Sequence, residues 1–295
     1  MSSISLPAGL PILPRRDQHS HKGTFGRALL IGGSVGMAGS ISLSARACLK
    51  GGAGLVTVAV PDAILDTVAT FDAAYMTWPL PTDRSGHLPF HAKSKISEKL
   101  EHADCVAIGP GLGQSRGLFF LVNDLVDRFS GPMVIDADGL NLVAQRAEKT
   151  EPFAAPRVLT PHLGEFRRLV GKPQLTMEEA TASAIEFADK RKCVLVLKGS
   201  QTLVTDGTRQ WKNPTGNPGL ATGGSGDVLT GLTTAMLAQR LSVYDAAVLA
   251  VYLHGLAADL AVQETSQPGL TASDLLDFLE SALCQYTQAR DANSA

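Results

Sequence analysis

Between positions 216 and 227 the chain reads Gly216-Asn217-Pro218-Gly219-Leu220-Ala221-Thr222-Gly223-Gly224-Ser225-Gly226-Asp227, five glycines in twelve residues ending on a carboxylate. Glycine permits positive φ and close approach of backbone to a ligand. A helical apolar pattern follows at once: Val228, Leu229, Leu232, Met236, Leu237. A helix opening near Gly226 directs unpaired N–H groups and the positive end of its dipole into the loop, which makes an anion site. Asp227 then stands where a phosphate also binds. Two negative charges repel, so the placement is favourable only if the carboxylate does chemistry or holds a metal. The plain alternative is a glycine-rich turn with Asp227 as an ordinary first-turn residue. The length and glycine density weigh against it.

The elements that position this loop are legible as alternating runs. Apolar runs at 28–31, 55–60, 105–108, 133–135, 158–159 and 194–197 are nearly continuous in aliphatic residues, the pattern of parallel strands covered on both faces. Helical patterns lie between several of them, at 40–50, 117–129, 163–170 and 177–190. This alternation predicts an α/β fold of three layers, with a mostly parallel central sheet. The spacing predicts an antiparallel hairpin at 202–205 and 210–211 around Asp206-Gly207. Three helices in succession follow, 227–239, 243–263 and 273–284, the last opened by Thr271-Ala272-Ser273-Asp274 as a capping box. No repeat or linker divides the chain. We expect an irregular arm over 1–23, one catalytic domain over 24–285 and a tail over 286–295.

In open α/β sheets ligands gather at the carboxyl ends of the strands. The residues placed there are Gly32 to Gly39, Gly109-Pro110-Gly111-Leu112-Gly113, Asp136-Ala137-Asp138-Gly139-Leu140-Asn141, Thr160-Pro161-His162-Leu163-Gly164-Glu165 and Lys198-Gly199-Ser200-Gln201-Thr202. Each also has a structural alternative. The Gly109 loop misplaces the third glycine of a dinucleotide fingerprint and fits close backbone approach, or a mere turn. Asp136 stands where a dinucleotide-binding fold keeps its ribose acid, and Asp138 and Asn141 equally fit caps of the next helix. His162 fits a ligand contact or a structural histidine, and Glu165 a first-turn carboxylate favoured by the helix dipole. Lys198 offers a cation to phosphates or simply ends its strand. No P-loop, zinc spacing or nucleophile elbow is present. Ser225 therefore fits a loop residue giving an N–H or hydroxyl to a phosphate.

Composition narrows the class. With 26 basic and 28 acidic residues the net charge is −2, without the basic surplus of a nucleic-acid binder. The four cysteines, Cys48, Cys105, Cys193 and Cys284, are far apart and fit reduced thiols. The arm shows no apolar signal segment. The longest apolar run, 246–262, is broken by His254 and Asp259 and is expected to fall short of a membrane span. The expectation is a cytoplasmic protein with neither nucleic-acid nor membrane partners.

Taken in order over residues 20–285, these loops resemble the ribokinase-like superfamily. They are closest to its ADP-dependent NAD(P)H-hydrate dehydratases. Gly224-Ser225-Gly226-Asp227 matches the G-x-G-D element. Gly36-Met37-Ala38-Gly39, Gly109 to Gly113, Asp136 to Asn141, Thr160 to Glu165 and Lys198-Gly199-x-x-Thr202 match the rest. The resemblance implies phosphorylation of the ring hydroxyl of (S)-NAD(P)H-hydrate, with loss of phosphate regenerating NAD(P)H. It implies Asp227 as the base, with the N–H groups of Gly224, Ser225 and Gly226 stabilising the transferring phosphoryl group. Lys198, Gly199, Ser200, Gln201, Thr202 and Gly226 would contact ADP (or ATP), and Ala38, Gly113, His162 and Asp227 the hydrated dinucleotide. It also implies Mg²⁺ on the nucleotide phosphates with no protein ligand set, a homo-oligomer (a tetramer) and pairing with a separate NAD(P)H-hydrate epimerase. A vitamin-precursor kinase of the same superfamily remains open, as does a dinucleotide-binding oxidoreductase, which would leave the Asp227 loop unexplained.

Overall fold

In the computed structural model residues 6–146 and 151–292 are described. Nine strands form one sheet: β1 (Arg27–Ile31), β2 (Leu55–Pro61), β3 (Met76–Leu80), β4 (Cys105–Ile108), β5 (Met133–Ile135), β6 (Arg157–Leu159), β7 (Val194–Leu197), β8 (Leu203–Thr205) and β9 (Gln210–Lys212). Their order is β3-β2-β1-β4-β5-β6-β7-β8-β9. The first seven are parallel, and β8 and β9 close the edge antiparallel. The helices are α1 (Ala38–Lys50), α2 (Leu65–Ala69), α3 (Lys93–Leu100), α4 (Arg116–Arg128), α5 (Asp138–Ala144), α6 (Leu163–Val170), α7 (Met177–Arg191), α8 (Ser225–Ala238), α9 (Val243–Glu264) and α10 (Ala272–Ala292).

Alternate strand residues feed two cores. Leu30, Val58, Ala107 and Val196 pack with α1, α8, α9 and α10, and Leu29, Ala59, Val106 and Leu195 with α3 to α7. Both faces are covered, which is why the strands read as continuous apolar runs. The outcome is the expected three-layer α/β/α sandwich with a helical C-terminal part.

Four elements escaped the sequence reading. Strand β3 contains Pro79, which a sheet tolerates only at an edge, and β3 is the edge. Helix α3 is polar apart from buried Ile96 and Leu100 at its end, too few apolar positions to mark a helical face. Helices α2 and α5 span only five and seven residues, too short to display a period.

Two expectations need correction. The proposed tail at 286–295 lies largely within α10, which runs to Ala292. Tyr286 is buried there, accepting from Leu13 N (2.7 Å) and donating to Pro11 O (2.9 Å), so the arm is clasped to the last helix. Residues 1–5 and 293–295 lie outside the described residues. The apolar run expected to fall short of a membrane span belongs to a 22-residue helix, α9, long and apolar enough to cross one. Its place is instead the interior: 72% of its most apolar stretch is buried in the fold.

Candidate active site

Strand β1 lies between β2 and β4, so the chain leaves it toward opposite edges and the loops after β1 and β4 diverge at a topological switch point. The two loops meet at their base. Gly33 N donates to Pro110 O (2.8 Å) and Ser34 Oγ to Gly111 O (2.8 Å). Helix α8 starts beside them. Its capping residue Gly224 has φ of 89°, a left-handed turn that an L side chain resists. No side chain caps the helix, so its first N–H groups face the loop. At Gly226 an added Cβ would stand 3.3 Å from Lys198 Nζ, a tight contact that would crowd the end of that side chain.

A cavity of about 720 Å³ opens at this end of the sheet, a size suited to a nucleotide. Asp227, Gly226, Lys198 and His254 are among the residues that line it. Asp227 Oδ2 accepts from Ser40 Oγ of α1 at 2.7 Å. Burial pushes the Asp227 carboxyl up to about 7. The charges of Asp136 and Asp138 add to this, while the Ser40 bond and Lys198 oppose it.

Asp136, only 1% exposed, accepts from Lys198 Nζ (3.0 Å) and from Thr230 Oγ1 of α8 (2.7 Å). Glu165 Oε2 stands 3.8 Å from the same ammonium. Burial alone would lower the Lys198 pKa, but the two carboxylates outweigh it and raise it, so the lysine is a cation. Burial raises the Glu165 carboxyl, against the pull of Lys198.

The residues singled out from sequence divide into two groups. Lys198, Gly199, Ser200, Thr202, His162, Gly224, Ser225, Gly226 and Asp227 share the cavity wall. Gln201, exposed in the turn after β7, and Ala38 and Gly113 lie outside it. Ala38 opens α1, two residues before Ser40. Gly113 N donates to Asp138 Oδ2 (2.8 Å) with the His87 ring over it, so Asp138 anchors the Gly109–Gly113 loop rather than capping α5. Asn141 accepts from Arg168 (2.7 Å) and is no cap either. His162 takes a structural part that the sequence left open: its Nδ1 accepts from the N–H groups of Gly164 and Glu165, capping α6. Burial and nearby Lys198 and Arg168 lower its pKa, and its side chain is still 55% exposed toward the cavity. The Ser225 hydroxyl donates to Leu220 O (2.8 Å), while its N–H makes only a long bond to Thr222 O (3.5 Å) and is the weaker-held donor an anion could claim.

Sequence reasoning missed three contributors. His254, noted only as a break in an apolar run, hydrogen-bonds Ser225 O (2.9 Å) from α9. Burial depresses it to about 4, so it is neutral and its Nε2–H is the donor. Asp259 of α9 accepts from Gly216 N (2.8 Å) and Asn217 Nδ2 (3.0 Å), tying down the start of the glycine-rich loop. Ser40 is the third. An i, i+4 pair of serines, Ser40 and Ser44, on the α1 face toward α8 was the available signal.

A mostly parallel sheet with a glycine-opened helix, a carboxylate at its mouth and a cavity at the switch point defines a ribokinase-like scaffold. Solved structures agree. A ribokinase-like superfamily protein from Enterococcus faecalis superposes with a TM-score of 0.81 at 28% identity, covering 93% of this chain and 92% of that one. A Bacillus subtilis ADP/ATP-dependent NAD(P)H-hydrate dehydratase, crystallised with ATP and Mg²⁺, gives 0.78 at 33%, covering 93% and 94%. Residues 28–281 match the family described as NAD(P)H-hydrate dehydratase, and the chain belongs to that family. Among curated relatives, the bifunctional NAD(P)H-hydrate repair enzyme of Moorella thermoacetica is 44% identical over 90% of this chain. The chain spans about half the length of such bifunctional relatives, 51% in that case. It also matches the ADP-dependent (S)-NAD(P)H-hydrate dehydratase of Bacillus subtilis at 36%, covering 90% of this chain and 92% of that protein.

Proposed function

We propose that the chain dehydrates (S)-NAD(P)H-hydrate to NAD(P)H at the expense of ADP or ATP. The carrying observation is Asp227, a carboxylate held near neutrality by burial at the open N-terminus of α8. Hydroxide is a poor leaving group and phosphate a good one. Asp227 takes the proton from the ring hydroxyl, whose oxygen attacks the terminal phosphorus of the nucleotide. The bridging P–O bond breaks, releasing AMP from ADP or ADP from ATP. The ring C–O bond then breaks with push from the ring nitrogen, phosphate leaves, and loss of a proton from the adjacent ring carbon restores the dihydronicotinamide. The N–H groups of Gly224, Ser225 and Gly226 meet the charge on the phosphoryl group as it transfers. Lys198 supplies a cation to the nucleotide phosphates, with Gly199 to Thr202 beside it. His162 and the approach past Ala38 and Gly113 serve the hydrated dinucleotide.

Among the described residues no three His, Cys, Asp or Glu side chains are grouped to hold a metal. Asp136 is already engaged by Lys198 and Thr230. The protein side thus offers no cage, and magnesium would arrive on the nucleotide phosphates with its waters. The naming of the bifunctional relatives supports pairing with a second repair activity, by resemblance an epimerase. Homo-oligomeric assembly and a cytoplasmic setting belong to the same proposal.

Chemically prepared NADHX incubated with the protein and ADP or ATP tests it. Growth of NADH absorbance only when nucleotide is present is the expected result. The absence of growth with either donor in folded protein sinks the proposal. Asp227→Ala is expected to lower turnover on the order of a hundred- to ten-thousand-fold while nucleotide binding, read by calorimetry, persists.

A further inference from the structure

We infer that Ser40 is a positioning residue for the base, fixing one oxygen of Asp227 so that the other is the oxygen that takes the proton. The inference rests on the proposed role of Asp227. Ser40 and Ser44 lie one turn apart on α1 and both reach α8. Ser40 Oγ donates to Asp227 Oδ2 (2.7 Å) and Ser44 Oγ donates to Asp227 O (2.8 Å). The side chain and main chain of one residue are thus gripped from a neighbouring helix. Close packing makes the grip firm: at Gly231, one turn along α8, an added Cβ would stand 1.9 Å from Ser44 O. With Oδ2 committed to Ser40, the carboxylate cannot spin freely, and Oδ1 is left for the substrate hydroxyl.

The bond has an electrostatic consequence. A hydroxyl that donates to a carboxylate favours the charged form. The other titratable groups around Asp227 are Asp136 and Asp138 after β5, Lys198 after β7 with Glu165 behind it, and neutral His254 on α9. Helix α10 approaches through Ala272, near Gly224. The first two turns of α1 carry no charged side chain, so Ser40 is what α1 contributes to the balance. Loss of its hydroxyl leaves burial and the two aspartates less opposed.

The test is the pH profile of kcat/KM with NADHX and ADP for wild type, Ser40→Ala, Ser40→Cys and Ser44→Ala. In S40A the rising limb is expected to move up by about one pH unit, a roughly tenfold loss below it, with most of the rate returning at high pH. S40C, a weaker donor of nearly the same shape, is expected to move it by less, and serves if S40A folds poorly. S44A is expected to lower the melting temperature without moving the limb. A limb unmoved in S40A, or in S40C where S40A does not fold, overturns the role of Ser40. Full activity in Asp227→Asn would instead remove the base assignment itself, and S40A is interpreted only alongside that variant's loss of rate.

Discussion

At the scale of single residues, Asp227 carries opposed demands that make a measurable trade. Its folded pKa is raised to about 7 from an ordinary aspartate value, chiefly by burial. The folded state therefore holds its proton more tightly than the unfolded chain does. The cost of ionising it is absent at about pH 4, grows as pH rises toward 7 and levels off above. The full shift corresponds to at most about 4 kcal/mol, and partial exposure reduces it to roughly 1–3 kcal/mol. Asp227→Asn removes the charge and keeps an acceptor for Ser40. The variant is expected to melt several degrees above wild type at pH 8, with the gap closing toward pH 4, while being inactive. Equal melting temperatures at pH 8 would show that the site does not strain this carboxylate. The aspartate itself was legible in the sequence because glycines and a helix start flank it. His254 and Asp259 were not, because each acts across the fold on a loop far away in sequence, and short-range spacing carries no trace of such contacts; Ser40 left only the i, i+4 serine pair, which does not say what it faces.

At the scale of elements, the turn from β5 into α5 shows strain placed at the site. Ala137 has φ of 49° and ψ of −120°, a conformation usually left to glycine. The turn closes with Gly139 N donating to Asp136 O at 2.9 Å. It sends Asp136 toward Lys198 and Thr230 and Asp138 toward the Gly113 loop. Two carboxylates only two residues apart thus serve two different walls. Ala137→Gly should relieve about 1–3 kcal/mol of strain and lose about 0.4–1 kcal/mol to a freer unfolded chain. A net gain in stability is expected in denaturant titration, and a clear loss would show that the methyl group's packing outweighs the backbone strain. Long elements with both faces or one stripe buried were readable, as α1, α4, α6, α7 and the parallel strands show. Asp136 to Asn141 was read as a loop because seven helical residues after a strained turn do not repeat often enough to display a period.

At the scale of the whole molecule, the sheet separates two cores, and the cavity lies at the carboxyl ends of its strands where α8 and α9 deliver the glycine-rich loop. The helical layer that holds Asp227 is itself held at its outer side by the chain's two ends. Tyr286 of α10 is 1% exposed and exchanges hydrogen bonds with Leu13 and Pro11 of the arm. Arg290 adds a donor to Leu13 O at 2.8 Å, and Arg15 pairs with Asp291 at the surface. The exposed pair contributes little, so the buried phenol and the Arg290 bond hold the clasp. Tyr286→Phe keeps the ring in the core and leaves Leu13 N and Pro11 O without their partner. The expected cost is about 1–3 kcal/mol, or roughly 2–8 °C in melting temperature for a domain of this size. Amide exchange at Leu13 should rise with it, while Asp227-dependent turnover in the folded variant stays at the wild-type rate. The clasp joins the arm to α10, whereas the hydrogen bonds that set Asp227 run between α1 and α8. A fall in turnover without a fall in stability would instead show that the arm reaches the site, and would make the ends of the chain part of the catalytic apparatus.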